Sequence, residues 1–260
     1  MTDAAVTRRS AAPAPSIWLI LTSLLDADAR VQLRNGRALV LSMALPVVLM
    51  YVLGIGKRGA IFPANTRLAF AIGIGLTSVA ILGYTMIVAR DRETGVFQRL
   101  RVTPAPTWAI MGSRLAIQVL SIVVMTSALL IVGELMLKLT LTPGAYVLTF
   151  AVVILGAAEF LGIGQAVVGL MKSYDTVNAI GRLVYIPLFA LGMFGNVSIF
   201  GSTLETIARW SPGGALISML AGAMTPSTWS TDTWWSVLVS AGYSAVFIAF
   251  GVRWFQWETR

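Results

Sequence analysis

Apolar residues fall along the chain in six long runs, at about Ala38–Ile55, Leu68–Ala89, Leu115–Leu137, Tyr146–Met171, Ala179–Phe200 and Thr233–Trp254. A helix rises about 1.5 Å per residue, so a run of ~20 residues matches the hydrocarbon core of a bilayer. The pattern predicts six transmembrane helices. The fourth run is long, and Gly156, Gly162, Gly164 and Gly169 would let it tilt or bend. Pro187 in the fifth is tolerated in a membrane helix whose neighbours satisfy the freed backbone groups.

Ahead of the first run, residues 1–16 are rich in Ala and Pro without periodicity, which predicts a disordered tail. Ile17 to Arg37 alternates differently. Ile17, Ile20, Leu21, Leu24 and Val31 recur at helical spacing, with Thr22, Asp26, Arg30 and Arg37 on a polar side. This reads as an amphipathic helix lying in the membrane interface, or as an ordinary juxtamembrane helix. Arg8-Arg9 is reminiscent of twin-arginine export signals. The run that follows, Ile17–Leu25, is short and ends in Asp26-Ala27-Asp28, so cleavage there is not expected. The expected organisation is a cytoplasmic tail over 1–16 and one all-α membrane domain over 17–260.

Lys and Arg placement sets the orientation. One set of connections holds Arg8, Arg9, Arg30, Arg34, Arg37, Arg90, Arg92, Arg99, Arg101, Arg114, Lys172, Arg182, Arg253 and Arg260, fourteen in all. The other holds five: Lys57, Arg58, Arg67, Lys138 and Arg209. Both termini are therefore expected in the cytoplasm. Trp229, Trp234 and Trp235 at one end of the last run, with Trp254 and Trp257 at the other, form the aromatic belt of a spanning helix.

Composition agrees with this layout. The chain is 57% hydrophobic and 12% charged, about half the charge of a typical soluble domain. The net charge of +8 is mostly a topology signal, so no nucleic-acid partner is expected. Cys and His are both absent, which excludes thiol nucleophiles, imidazole bases and Cys/His metal sites. No catalytic or metal site is expected. The phosphate cradle G-x-x-x-x-G-K-[ST] is missing too; Gly54-Ile55-Gly56-Lys57 lacks its spacing.

The segment between the second and third runs stands out: Arg90-Asp91-Arg92-Glu93-Thr94-Gly95-Val96-Phe97-Gln98-Arg99-Leu100-Arg101-Val102-Thr103-Pro104. Its charges alternate and then turn basic, with Val96, Phe97, Leu100 and Val102 in partial helical register. Pro104 and Pro106 force the chain out of helix. A short membrane-parallel helix with mixed charge and apolar anchors suits docking of a soluble protein. A charge-laced solvated loop is the alternative.

This stretch resembles the ABC type-2 transporter permeases, membrane subunits of bacterial exporters, whose second connection reads Glu-Arg-Glu-x-Gly-Thr, then Leu, then Thr-Pro. Arg92-Glu93-Thr94-Gly95 and Leu100-Arg101-Val102-Thr103-Pro104 match, while Asp91 and Val96 depart from the commoner Glu and Thr. Tyr185-Ile186-Pro187 through Gly192, followed by Ile207 to Pro212, is similar to the family's fifth span and the short helix after it. Leu33-Arg34-Asn35-Gly36 before Leu45-Pro46 is similar to its opening segment.

The resemblance implies a permease that borrows energy from two cytoplasmic ABC ATPase subunits and pairs with a second copy or a paralogue. ATP and Mg would be bound by those ATPases, and no cofactor by this chain. By the same resemblance, Arg90, Asp91, Arg92, Glu93, Thr94, Gly95, Phe97, Leu100, Thr103 and Pro104 form the coupling helix. The implied place is a bacterial plasma (inner) membrane, and the implied cargo a lipophilic drug, antibiotic or lipid-like compound moved out of the cytoplasm or inner leaflet.

Glu159 lies near the middle of the fourth run. An ionisable group at that depth costs about 2.5–3.5 kcal/mol on insertion scales, so it must face protein or water and find a partner. Three readings stay open: contact with a cationic or polar substrate, a proton relay, or a paired or neutral acid in a helix interface. With Asn196 it makes the candidate substrate pathway. Glu159 also motivates the rival reading, a proton-coupled secondary transporter; a membrane-embedded enzyme is the other. Residues 201–232, with Leu204, Ile207 and Ala208 on one stripe, read as a re-entrant or interfacial helix acting as an outer lid, or as a surface loop helix.

Overall fold

Backbone polar groups inside a bilayer must be satisfied by the chain itself, and helices do this here. The computed structural model describes residues 16–34, 36–55, 62–103, 105–194 and 201–254, and no strand occurs among the described residues. Most of the expected tail, residues 1–15, lies outside them. The protein is an all-α membrane protein.

Helix α1 (Ile17–Arg34) buries none of its residues and packs against α5 (Thr107–Leu137). Trp18 and Leu19 are exposed on it, and Asp26 and Arg30 pair at 2.8 Å one turn apart. Such an exposed mixture of indole, aliphatic and charge is what a membrane interface accepts. Helix α2 (Gly36–Val52) carries Pro46 in its interior and stops before the expected limit at Ile55. Its 17 residues give ~26 Å, slightly less than the ~30 Å of a hydrocarbon core.

Among the described residues, five helices are long and apolar enough to cross a membrane. Helix α3 (Ala64–Glu93) continues past the expected end at Ala89, so the charges Arg90 to Glu93 form its last turn. It contains a π-helical stretch, Ser78–Gly83, that packs against α6 (Pro143–Leu170). A β-carbon on Gly164 of α6 would lie 2.6 Å from the Ala80 carbonyl oxygen, so only glycine permits this approach. Helix α5 starts at Thr107, well before the expected Leu115, because Pro106 sets the start and Ser113-Arg114 interrupts the apolar run within the helix. Helix α7 (Tyr174–Phe194) likewise begins before Ala179 and contains Pro187; the remainder of that expected span, 195–200, lies outside the described residues. Helix α10 (Thr231–Arg253) opens with a reciprocal Ser230/Thr233 capping box. Its pairing with α6 is the most extensive in the molecule.

The stretch expected to hold a single lid helix holds two. Helix α8 (Ser202–Trp210) ends at Ser211, and α9 (Pro212–Met224) begins there. On α8, Ala208 is buried but Ile207 is exposed, and the Leu204 side chain lies outside the described residues. Helix α9 is apolar and buried along most of its length, wedged among α3, α6, α7 and α10. At 13 residues it reaches ~20 Å and cannot span. The Ser211 hydroxyl accepts the Gly214 N–H at 3.1 Å and donates to the Ala208 carbonyl at 2.7 Å, closing one helix and opening the next. Replacing Ser211 with Ala is expected to cost about 1 kcal/mol, or roughly 2–4 °C in the thermal midpoint. Tryptophan fluorescence of the detergent-solubilised chain would measure it.

Candidate functional site

Successive residues of an α-helix point about 100° apart, so three in a row at a helix end face three different neighbours. The last turn of α3 uses this fan. The Asp91 carboxylate pairs with Arg114 of α5. Arg114 also lies 3.9 Å from Asp28 of α1, whose carboxylate accepts the Ser113 hydroxyl at 2.8 Å. Arg92, 3% exposed, turns the other way and donates to the carbonyls of Val168 at 2.8 Å and Met171 at 2.7 Å. Those carbonyls belong to the end of α6, where orphan acceptors and the negative pole of the helix dipole favour a cation. Glu93 accepts the Tyr174 backbone N–H at 2.8 Å, at the positive pole of α7.

Gly95, at φ 70°, then turns the chain; its left-handed conformation costs any residue with a β-carbon. The Thr94 and Gly95 N–H groups bond back to Arg90 and Arg92, closing α3, and α4 (Val96–Arg101) leaves at a new angle. Phe97 drives this short helix down: it is 1% exposed, and the Arg114 guanidinium sits 5.4 Å from its ring centre.

The expected coupling residues therefore separate into two groups. Asp91, Arg92 and Phe97 face the protein, and Leu100 is half-buried. Arg90, Glu93, Thr94 and Thr103 are exposed, while Gly95 is half-buried at the turn. Beside them, Gln98 and Arg99 are also exposed, and Val102, 87% exposed, adds an apolar side chain to this surface. Pro104 and the Arg101 side chain lie outside the described residues. Asp28, Ser113 and Arg114, none of them among the expected coupling residues, complete the cluster. One signal was present: Arg114 borders a long apolar run, a place where a cation needs a carboxylate.

Within the membrane region, Glu159 is fully buried between α6 and α10. It faces the Ser240 hydroxyl, and neither group makes a hydrogen bond of ordinary geometry. Ser236, Ser240 and Ser244 line the same buried face of α10, with Ser236 and Ser244 bonded to carbonyls of their own helix. Nearby, an apolar groove of about 670 Å³ runs between α5, α6 and α10, from Thr107 and Trp108 to Val119 and Ala158. Glu159 does not line it. Gln165 on its wall bonds the Tyr84 hydroxyl. Asn196 lies outside the described residues, so the structure does not join it to Glu159.

Comparison with known proteins fits this arrangement. The chain is 24% identical over 174 residues to YvfS of Bacillus subtilis (strain 168), a protein named as a transport permease; the alignment covers 66% of this chain and 68% of that one. The profile of the ABC-2 type transporter family matches residues 21–225, from within α1 through α9 and so across the whole Arg90–Thr103 cluster, and the chain belongs to that family of membrane transport permeases.

Proposed function

We propose that this chain is the permease half of an ATP-driven exporter, with α4 and its flanks seated on a cytoplasmic ABC ATPase. Permeases of this family generally work with ATPase subunits. The observation that carries the reading is the division within the Arg90–Thr103 segment. Asp91, Arg92 and Phe97 anchor it internally, which leaves Gln98, Arg99, Val102 and Thr103 presented together outward. A rigidly backed, mixed polar and apolar surface is what a soluble partner can grip. The fourteen-to-five distribution of Lys and Arg supports a cytoplasmic side for this segment and both termini, and the membrane would be a bacterial inner one, as for the exporters the chain resembles.

Two ATPases, carrying the ATP and Mg, would serve a pair of permease chains. The second chain of that pair would be another copy or a paralogue. The apolar groove favours a lipophilic drug, antibiotic or lipid-like cargo over a polar one.

Co-expression with a candidate cytoplasmic ABC ATPase tests the reading. The wild-type chain is expected to retain the ATPase through purification. Arg99→Glu combined with Val102→Asp is expected to lower the retained ATPase at least tenfold. Stability should change by no more than about 0.5 kcal/mol, since both side chains are exposed. Undiminished retention by the double variant would remove α4 as the docking surface.

A further inference from the structure

Resting on that reading, we propose that Arg92 and Glu93 are positioning residues that carry a displacement of the docked α4 segment to the joint between α6 and α7, without themselves serving as the docking contact. The two residues are adjacent, yet they hold the ends of two different spans. Arg92 places a charged fork on the last-turn carbonyls of α6, at Val168 and Met171. Glu93 places a carboxylate on the first N–H of α7, at Tyr174. Only Lys172 and Ser173 intervene between the held ends.

Each charge matches the pole of the helix it holds, cation on the carbonyl end and anion on the N–H end. The order Arg-Glu is thus required; the reversed order would put the wrong sign at both poles. A force on α4 reaches the last turn of α3 through Gly95 and Thr94, whose N–H groups are tied back to that turn. From there the α6 and α7 ends must follow, because their backbone groups are bonded to the same dipeptide.

The two grips differ in strength. Arg92 is buried, with two charge-assisted hydrogen bonds, whereas Glu93 is exposed and makes one. Helix α6 is therefore held throughout, and α7 by the lighter bond. Helix α7 packs on α8 and α9 at its far end, so its movement carries to the opposite side of the membrane. Asp91 is outside this path, since it faces α1 and α5 through Arg114.

The chain has no cysteine, so paired spin labels report without background from this chain when they are attached before the ATPase is added. Thr140→Cys and Ser202→Cys place labels at exposed positions in the α5–α6 connection and at the start of α8. In the nanodisc complex with the ATPase, adding ATP is expected to shift the distance between them. Arg92→Gln should reduce that shift at least fivefold while the ATPase stays bound. Arg92→Lys, which keeps the charge but not the fork, should restore part of it. Glu93→Ala, at an exposed side chain with a single hydrogen bond to lose, should reduce the shift about twofold, and it decides the matter if Arg92→Gln does not fold. A full shift in both Arg92→Gln and Glu93→Ala overturns the inference alone. No shift in the parent complex overturns the exporter reading and this inference together.

Discussion

Gly213→Val is expected to stop α9 from seating. A β-carbon at this position would overlap the Leu188 carbonyl oxygen of α7, and Gly192 meets Gly213 from the other side, its own β-carbon position lying 3.0 Å from the Gly213 carbonyl oxygen. Both obstacles are backbone, so no side-chain rotation relieves them. Overpacking against adaptable side chains costs about 1–3 kcal/mol. Here the upper end or more is expected, roughly 3 kcal/mol, equivalent to about 6–12 °C in the thermal midpoint of a chain this size. The contact also sits where α7 contains Pro187, which supplies no N–H to the carbonyl one turn earlier. A displaced α9 would disturb its contacts with α3, α6 and α10 at once. Gly112→Ala is the matching control. Nothing lies within 4 Å of a β-carbon there, so the exchange should be neutral or stabilising. The yield of monodisperse protein in detergent and the unfolding midpoint would separate the two; equal behaviour would show that the α7–α9 approach is not close.

The contrast between these helices explains what the sequence could reveal. The fourth and sixth apolar runs predicted α6 and α10 to within a few residues, because Thr142-Pro143 and Ser230/Thr233 place caps where the apolar residues begin. In α3, α5 and α7 the helix outruns the apolar stretch. Hydropathy registers contact with lipid, whereas a helix persists as long as its backbone bonds do, so Arg90 to Glu93, expected in a separate membrane-parallel helix or a loop, and Thr107 to Arg114, outside every apolar run, belong to the long helices. Helix α9 escaped notice for the opposite reason: it is apolar, but too short for a pattern tuned to bilayer thickness.

Of the candidate site, the segment itself was legible from its charge pattern, but its division into inward and outward residues was not. Arg92 bonds to carbonyls, which have no signature in a sequence, and Asp91 depends on a partner 23 residues away. Glu159 is expected from sequence to face protein or water and to find a partner; the structure buries it in protein. Its position opposite Ser240, away from the wall of the apolar groove, follows from the α6–α10 register, which one chain's periodicity cannot fix.

Arg114→Ala should disrupt the cluster more than any other single exchange at the end of α3. The Arg114 side chain is 13% exposed, and its two carboxylate neighbours, Asp91 and Asp28, are 20% and 18% exposed. Losing the cation leaves two like charges close together and poorly solvated. Breaking a buried pair from one side costs about 3–5 kcal/mol, most of it from the stranded charge. The sign of the repulsion makes a sharper test than the magnitude. Asp91→Asn alone should destabilise, because it weakens the hold on Arg114. In the Arg114→Ala background the same exchange should stabilise, because it removes one of two unbalanced anions. A double-mutant cycle by thermal unfolding would then show a coupling of about 1–3 kcal/mol, and additive effects would mean that the three charges do not interact. Recovery should nonetheless be incomplete. Arg114 also covers the Phe97 ring that anchors α4, and neither Ala nor Asn replaces that contact. The doubly substituted chain is therefore expected to regain stability while retaining less ATPase than the parent, because a neutralised cluster restores the bundle without restoring the seat of the docking helix.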